Sequence, residues 1–286
     1  MPRVLTVMCV CLAASCASVG CGSNLAGVDP GGGAASRSVV SVRSKSETIP
    51  NESAVADTGK PELGSSVPGA VTGHVIFDGA VPKPSALVQK GLSSVDRDIC
   101  AHEGDIPNES LVVSTGGGLA NVFVYLDKAP DWYKDKPTIS QVLDQKACIF
   151  KPHALIAPAG LPFVLKNSDL VAHNIKTEPG INAGTNDTLK PGSEMTMLLK
   201  RPERMPFQSK CAIHPWMEFY TLALSHPFAA ITDSDGKFEI KDLKPGKYKF
   251  RVWHERARGL DPVSVEIKGG ESVVLPLKYA AAIFGS

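Results

Sequence analysis

The chain has 286 residues, of which 21% are charged, and its net charge is +1. This balance excludes the strongly basic surface of a nucleic-acid-binding protein and any strongly charged surface for a protein partner. The length allows one large folded unit or two small ones.

The N-terminus is typical of an export signal. Arg3 supplies a positive charge, and residues 4–14 form an apolar run that is too short to span a bilayer. The following SVGC run, which ends at Cys21, is similar to the lipobox of bacterial lipoproteins, although Ser18 stands where an aliphatic residue is usual. We predict a signal peptide over residues 1–21 and lipidation of Cys21. Ordinary secretory cleavage nearby is the alternative.

Residues 22–69 are predicted to form a disordered tether. They are rich in Gly, Ser, Ala and Val and show no periodic apolar pattern. Such a segment cannot bury enough apolar surface to fold, and it would hold the folded part away from a membrane. A short strand over residues 39–42 is the alternative.

The remaining sequence has the pattern of an all-β protein. Short runs of alternating apolar and polar residues are bounded by Gly, Pro, Asn and Asp, which is typical of β-sandwiches. Clear examples of such runs are residues 71–77, 120–126, 161–165 and 248–253. Only residues 138–144 have the pattern of a short helix.

Several of these runs resemble the carboxypeptidase-regulatory-like, or transthyretin-like, sandwich. The run from Gly73 to Gly79, followed by Pro82, is similar to the first strand and turn of that family. Residues 121–126 fit its next strand, and residues 232–248 carry its hallmark turn and strands. Within that hallmark, the Asp-Gly pair ending at Gly236 supplies a turn residue with positive φ.

The loop Cys211-Ala-Ile-His214-Pro-Trp-Met217 contains three potential metal ligands. Thiolate, imidazole and thioether groups suit copper, and two imidazoles, one thiolate and a distant axial Met form the blue-copper arrangement. The upstream N-x-D-x-x-x-H motif, which ends at His173, can supply the second imidazole. Pro215 fixes φ within the loop and helps to hold it in one shape. The alternative is a buried thiol near a surface imidazole, with Met217 as core filler.

These two motifs together resemble the ligand loops of the cupredoxins, the blue-copper electron carriers. The C-x-x-H-P-x-M loop is most similar to the short ligand loop of amicyanin. The resemblance implies that Asn174 ties the two ligand loops together by hydrogen bonds near the thiolate, which tunes the metal. The ligands that it implies are His173, Cys211 and His214, with Met217 as the weak axial one.

The copper motifs lie between the pieces of the other sandwich. We therefore predict a cupredoxin-like Greek-key domain over residues 146–225. It would be inserted in, or packed on, a discontinuous regulatory-like sandwich over residues 70–145 and 226–280. The whole chain resembles exported bacterial proteins of the methylamine-utilisation or plastocyanin-like type.

The cysteines predict one disulfide. Of the seven, Cys9, Cys11, Cys16 and Cys21 belong to the signal peptide or its lipidation site. In an oxidising compartment two of the remaining three should pair. Because Cys211 is the predicted copper thiolate, we predict a Cys100–Cys148 bridge, and two separate buried thiols are the alternative. A bridge closing about 49 residues would stabilise the fold by roughly 3–4 kcal/mol.

Three further histidines could form a second metal site or serve the fold. His226 and His254 are the more notable ones, and the latter is followed by Glu255. His153 is the third. We favour a hydrogen-bonded structural role for each of them.

The resemblance implies electron transfer rather than catalysis, and the chain carries no hydrolase triad, zinc-protease or nucleotide-binding motif. We predict an exported, single-copper electron carrier that is not an enzyme, located in the periplasm or on the outer cell surface. Its partners would be envelope redox proteins such as a cytochrome or a dehydrogenase. Two alternatives stay open: a carbohydrate- or protein-binding module without a redox role, and a copper storage or delivery protein.

Overall fold

The computed structural model describes residues 66–135 and 141–285. The regular secondary structure of these residues is β-strand, apart from one 3-10 turn at Ala281–Phe284. None of their helices is long and apolar enough to cross a membrane. The prediction of an all-β fold is therefore confirmed. The predicted signal peptide, Cys21 and the tether through residue 65 lie outside the described residues.

Eighteen strands follow one another along the described chain. The first nine are β1 (Gly69–Asp78), β2 (Ala86–Val88), β3 (Ile106–Pro107), β4 (Phe123–Leu126), β5 (Val142–Lys146), β6 (Ile149–Lys151), β7 (Ala154–Pro158), β8 (Pro162–Asn167) and β9 (His173–Thr177). The others are β10 (Asn186–Leu189), β11 (Glu194–Leu198), β12 (Phe207–Lys210), β13 (Glu218–Leu224), β14 (Ala229–Ile231), β15 (Lys237–Leu243), β16 (Gly246–Trp253), β17 (Leu260–Ile267) and β18 (Ser272–Ala280).

Strands β5 to β13 form two facing sheets, which we call the central sandwich. One sheet has the order β10-β9-β12-β13-β7 and the other β11-β8-β5-β6. Alternate residues point inward, as the pleat requires, so that both sheets line one core. Phe150 from β6 and Phe219 from β13 meet in this core with ring centroids 4.6 Å apart.

The prediction of a short helix over residues 138–144 is wrong for its described part. Residues 142–144 belong to β5, which pairs in parallel with β8, while residues 138–140 lie outside the described chain. The pairing sets Leu143 beside Leu165, and both side chains are buried. Burial of one face in a sheet outweighs a weak local preference for helix.

The remaining long strands form a second pair of sheets, the terminal sandwich. Their orders are β15-β1-β18 and β14-β4-β16-β17, and the two sheets enclose a separate core. The predicted turn before β15 is present, with Gly236 at φ 79°. A Cβ on Gly236 would lie 2.4 Å from the Val75 carbonyl oxygen, so only glycine fits this position.

The two sandwiches pack against each other through a smaller apolar cluster. Phe123, Tyr125 and Trp253 from the terminal sandwich meet residues of β7 and β13 from the central one. The Tyr125 hydroxyl also donates to the Arg204 carbonyl oxygen at 3.1 Å. The first strand of the central sandwich, β5, begins at Val142.

A long loop joins β2 to β3 and packs on the central sandwich. We call it the 89–105 loop. Its residues Cys100 and Ala101 belong to the central core. The predicted Cys100–Cys148 disulfide is present and ties this loop to the turn between β5 and β6.

Candidate metal centre

Three of the predicted ligands lie together at one end of the central sandwich. The ligand atoms of His173, Cys211 and His214 all lie within 4.8 Å of one another, and the three residues are buried. The topology explains this arrangement. Antiparallel pairing of β9 with β12 sets the start of β9, at His173, beside the end of β12, which Cys211 follows directly.

Both imidazoles present the same ring nitrogen to the centre. His173 Nδ1 lies 3.0 Å from His214 Nδ1, and Cys211 Sγ lies 3.7 Å from His214 Nδ1. Two imidazole nitrogens and one thiol therefore face a single buried point. This is a donor set that fits copper.

The ligand loop between Cys211 and Met217 is closed by its own hydrogen bonds. The Met217 amide donates to the His214 carbonyl at 3.0 Å, which makes a turn with the exposed Pro215 at its second position, where proline is favoured. The Cys211 amide then donates to the Met217 carbonyl at 3.1 Å. Met217 is buried in the same core cluster as Cys211. The turn thus brings the thioether residue back toward the thiol.

Asn174 joins the two ligand loops. Its backbone amide donates to Cys211 Sγ at 3.3 Å, and its side-chain oxygen accepts from the Ala212 amide at 3.1 Å. The His214 amide also donates to Cys211 Sγ, at 3.4 Å. This is the loop-to-loop link that the sequence resemblance implies for Asn174. Two backbone donors on one sulfur stabilise its thiolate form.

Two carboxylates hold the outer edges of the imidazoles. Asp169 Oδ2 lies 2.8 Å from His173 Nε2, and Asp96 Oδ2 lies 3.0 Å from His214 Nε2. A carboxylate accepts a hydrogen bond from an Nε2–H group, so each ring is oriented to offer Nδ1 to a metal. Asp169 was predicted only as part of a motif, and Asp96 was not predicted at all. The four-residue spacing of Asp169 and His173 was the one available signal.

The hydrogen bonds change the pKa values of the ligand groups in the metal-free protein. Burial opposes the charged form of Cys211, but hydrogen bonds from His173, His214 and two backbone amides outweigh it and lower its pKa to about 5. Burial likewise opposes charge on His173, yet Asp169 and Cys211 raise its pKa to about 8. The thiolate is the form that binds metals. At neutral pH Cys211 is therefore a thiolate, while His173 must lose a proton before it can bind a metal.

The disulfide forms part of the wall of the centre. Cys148 Sγ lies within 4.8 Å of ligand atoms of Asp169 and His173. The Cys148 amide donates to Asp169 Oδ2 at 2.8 Å, and its carbonyl accepts from Trp216 Nε1 at 2.9 Å. Because its sulfur is bonded to Cys100, Cys148 offers no thiolate for a second metal position.

Each of the three other predicted histidines has contacts of its own. His153 Nε2 pairs with Glu255 Oε1 at 2.5 Å, and His226 stacks on Phe228 with ring centroids 5.8 Å apart. His254 Nδ1 accepts from the Arg256 amide at 3.2 Å. Among the described residues, none of the three histidines belongs to a cluster that could hold a metal. The predicted hydrogen-bonded role agrees with the contacts of His153 and His254, whereas His226 packs by ring stacking.

We predict that His226 makes the fold sensitive to acid. Burial lowers the pKa of His226 to about 4, whereas an unfolded histidine titrates near 6.5. As the pH falls from 6.5 to 4 the unfolded chain binds the extra proton, so the free energy of unfolding should fall by about 3 kcal/mol through this group. His226→Leu should remove that part of the pH dependence in urea unfolding. Equal pH slopes for wild type and His226→Leu would contradict the prediction.

Comparison with known proteins finds partial structural similarities. No protein-family model and no curated protein matches the chain. The Cu-containing nitrite reductase NirK from Thermus scotoductus SA-01 is 16% identical, with a TM-score of 0.28, over 34% of this chain and 25% of that one. A purple cupredoxin from Nitrosopumilus maritimus is 19% identical, with a TM-score of 0.25, over 29% of this chain and 97% of that one. A mutant of amicyanin in the Cu(I) state is 15% identical, with a TM-score of 0.27, over 29% and 81%. The chain thus spans about a quarter of the length of NirK.

Proposed function

We propose that this chain binds one copper ion and transfers electrons, and that it does not itself catalyse a reaction. The observation that carries the proposal is the buried group of His173, Cys211 and His214, whose ligand atoms lie within 4.8 Å of one another. His214 is fully buried, so a substrate has no direct approach to this ligand. An electron, unlike a substrate, needs no open position at the metal.

The residues of the chain are arranged to bind copper with little rearrangement. Cys211 would supply the thiolate, held by amide donors from Asn174 and His214. His173 and His214 would supply Nδ1, and Met217 the weak axial thioether. Copper, when bound, exchanges one electron between its Cu(I) and Cu(II) states. Carboxylates on the outer edges of both rings would keep the donors in place in either state.

We further propose that the protein works outside the cytosol, exported through residues 1–21 and anchored by lipid on Cys21. The Cys100–Cys148 disulfide supports this location, because disulfides persist in oxidising compartments. Residues 146–225 would form the copper domain, and residues 70–145 with 226–280 the regulatory-like sandwich. Partners would be envelope redox proteins such as a cytochrome or a dehydrogenase. The net charge of +1 gives no support for nucleic-acid binding.

The proposal is tested by loading the full chain with Cu(II) and recording its absorption through repeated reduction and oxidation. We expect an intense visible thiolate-to-copper band that saturates at one equivalent, bleaches on reduction and returns fully on oxidation. A band that is lost after one cycle, with copper passing to a chelator, would favour storage or delivery. A folded protein without any band would favour the binding module and reject the copper function.

A further inference from the structure

The 89–105 loop covers the outer edge of one predicted ligand. Asp96 Oδ2 lies 3.0 Å from His214 Nε2. The Asp96 side chain is 37% exposed, whereas the His214 side chain is fully buried. Asp96 is therefore a partly exposed residue that covers the Nε2 edge of the buried His214 ring.

Asp96 is held by the part of the loop that carries the disulfide. The Cys100 amide donates to the Asp96 carbonyl at 2.7 Å, and the neighbouring Ile99 amide donates to the same oxygen at 2.9 Å. Asp96 has φ 48°, in the left-handed region that residues other than glycine seldom adopt. A residue keeps such a conformation when its surroundings fix it, and here the fixed neighbour is Cys100.

The other half of the disulfide is connected to the other imidazole. The Cys148 amide donates to Asp169 Oδ2 at 2.8 Å, and the same oxygen lies 2.8 Å from His173 Nε2. One covalent bridge therefore joins the two peptide segments that position both carboxylates. Outside this bridge, the loop is closed at its base by a short pairing of β2 with β3.

We propose that Asp96 is a positioning residue for His214, and that the Cys100–Cys148 bridge keeps the 89–105 loop closed over the metal centre. The metal then enters and leaves through opening of this loop. The inference rests on the proposed copper function and adds to it a defined route of exchange. It predicts that the ring position and the exchange rate both depend on Asp96.

The test is the rate at which the Cu(II)-loaded full chain loses copper to excess EDTA, followed by its thiolate-to-copper band. Asp96→Ala should release copper about 10–100-fold faster and shift the band, since residues that orient ligands affect metal affinity on this scale. Asp96→Asn keeps an oxygen that can accept from Nε2–H and should restore most of both properties. Asp98→Ala changes an exposed carboxylate of the same loop and should behave as wild type.

The disulfide is tested in the same assay. Cys100→Ala/Cys148→Ala should also release copper at least about ten-fold faster. In the wild type, the release rate should become independent of EDTA concentration once opening of the loop limits it. If the double variant does not fold, the Asp96 variants decide the positioning role, and a wild-type rate that keeps rising with EDTA concentration would overturn exchange through loop opening. If Asp96→Ala releases copper at the wild-type rate and has the wild-type spectrum, the positioning role of Asp96 is overturned, while copper binding stands. A wild type without any band would reject the copper function itself.

Discussion

Cys211→Ser is expected to abolish the visible thiolate-to-copper band while the protein remains folded. Cys211 is the free cysteine of the described chain, so its loss removes the one thiolate available to the centre there. A serine oxygen can still accept from the amides of Asn174 and His214, which now donate to the sulfur at 3.3 and 3.4 Å. The fold should therefore keep its hydrogen bonds at this position. Absorption after Cu(II) loading, with circular dichroism for folding, measures both properties.

Met217→Leu is the matched control for this experiment. Met217 is buried in the same cluster as Cys211, and leucine preserves its volume closely. The variant should keep an intense band, since thiolate and both imidazoles remain, but with an altered reduction potential. A band of wild-type strength in Cys211→Ser would contradict the prediction, because copper would then be bound elsewhere.

Local patterns were sufficient to predict several of the strands and the ligand loop. Alternation of apolar and polar residues marked β1, β8 and β16, since one face of each strand is buried. Cys211, His214 and Met217 are close in sequence, so a single turn brings them together. Chemistry that depends on neighbours within a few residues is visible in a sequence.

Chemistry that depends on tertiary contact was not visible in the same way. Asp96 and His214 are 118 residues apart, and only the packing of the 89–105 loop on the central sandwich makes them partners. The turn between β5 and β6 is a second example. Ala147 and Cys148 adopt φ 58° and 55°, a two-residue hairpin conformation that usually requires Asn-Gly. Neither residue of this turn is typical of such a conformation, because the group that stabilises the turn lies on another loop.

That group is Asp169, and Asp169→Ala is expected to weaken both the fold and the metal centre. Asp169 accepts the Ala147 amide at 2.6 Å and the Cys148 amide at 2.8 Å, so it holds both strained residues of the turn. These bonds, with one from His173, lower the pKa of Asp169 although burial acts to raise it. Loss of the carboxylate leaves the buried Cys148 amide without its acceptor. We expect the free energy of unfolding to fall by about 2–4 kcal/mol in urea titrations at pH 7.

The same substitution removes the group that orients His173. Without an acceptor for Nε2–H, the ring can rotate or carry its proton on Nδ1, and apparent copper affinity should fall about 10–100-fold. Competition with a chelator of known affinity, at pH 7 and without denaturant, measures this loss of affinity. Asp169→Asn retains one acceptor oxygen and should show intermediate losses in both measurements.

Asp144→Ala is the control that separates the effects of Asp169→Ala from a general change in the loop after β8. Asp144 accepts the Ser168 amide at 3.1 Å, next to Asp169, and it has no hydrogen bond to His173 or to the strained turn among the contacts that the structure describes. Its loss should cost about 1 kcal/mol and leave copper affinity unchanged. If Asp169→Ala binds copper as tightly as wild type, His173 does not need its carboxylate. If it unfolds at the wild-type urea concentration, the turn that carries Cys148 is stable by itself. If the disulfide, the turn and the ligand are linked, Asp169→Ala should lose both stability and copper affinity. Asp144→Ala should show only the small loss of stability.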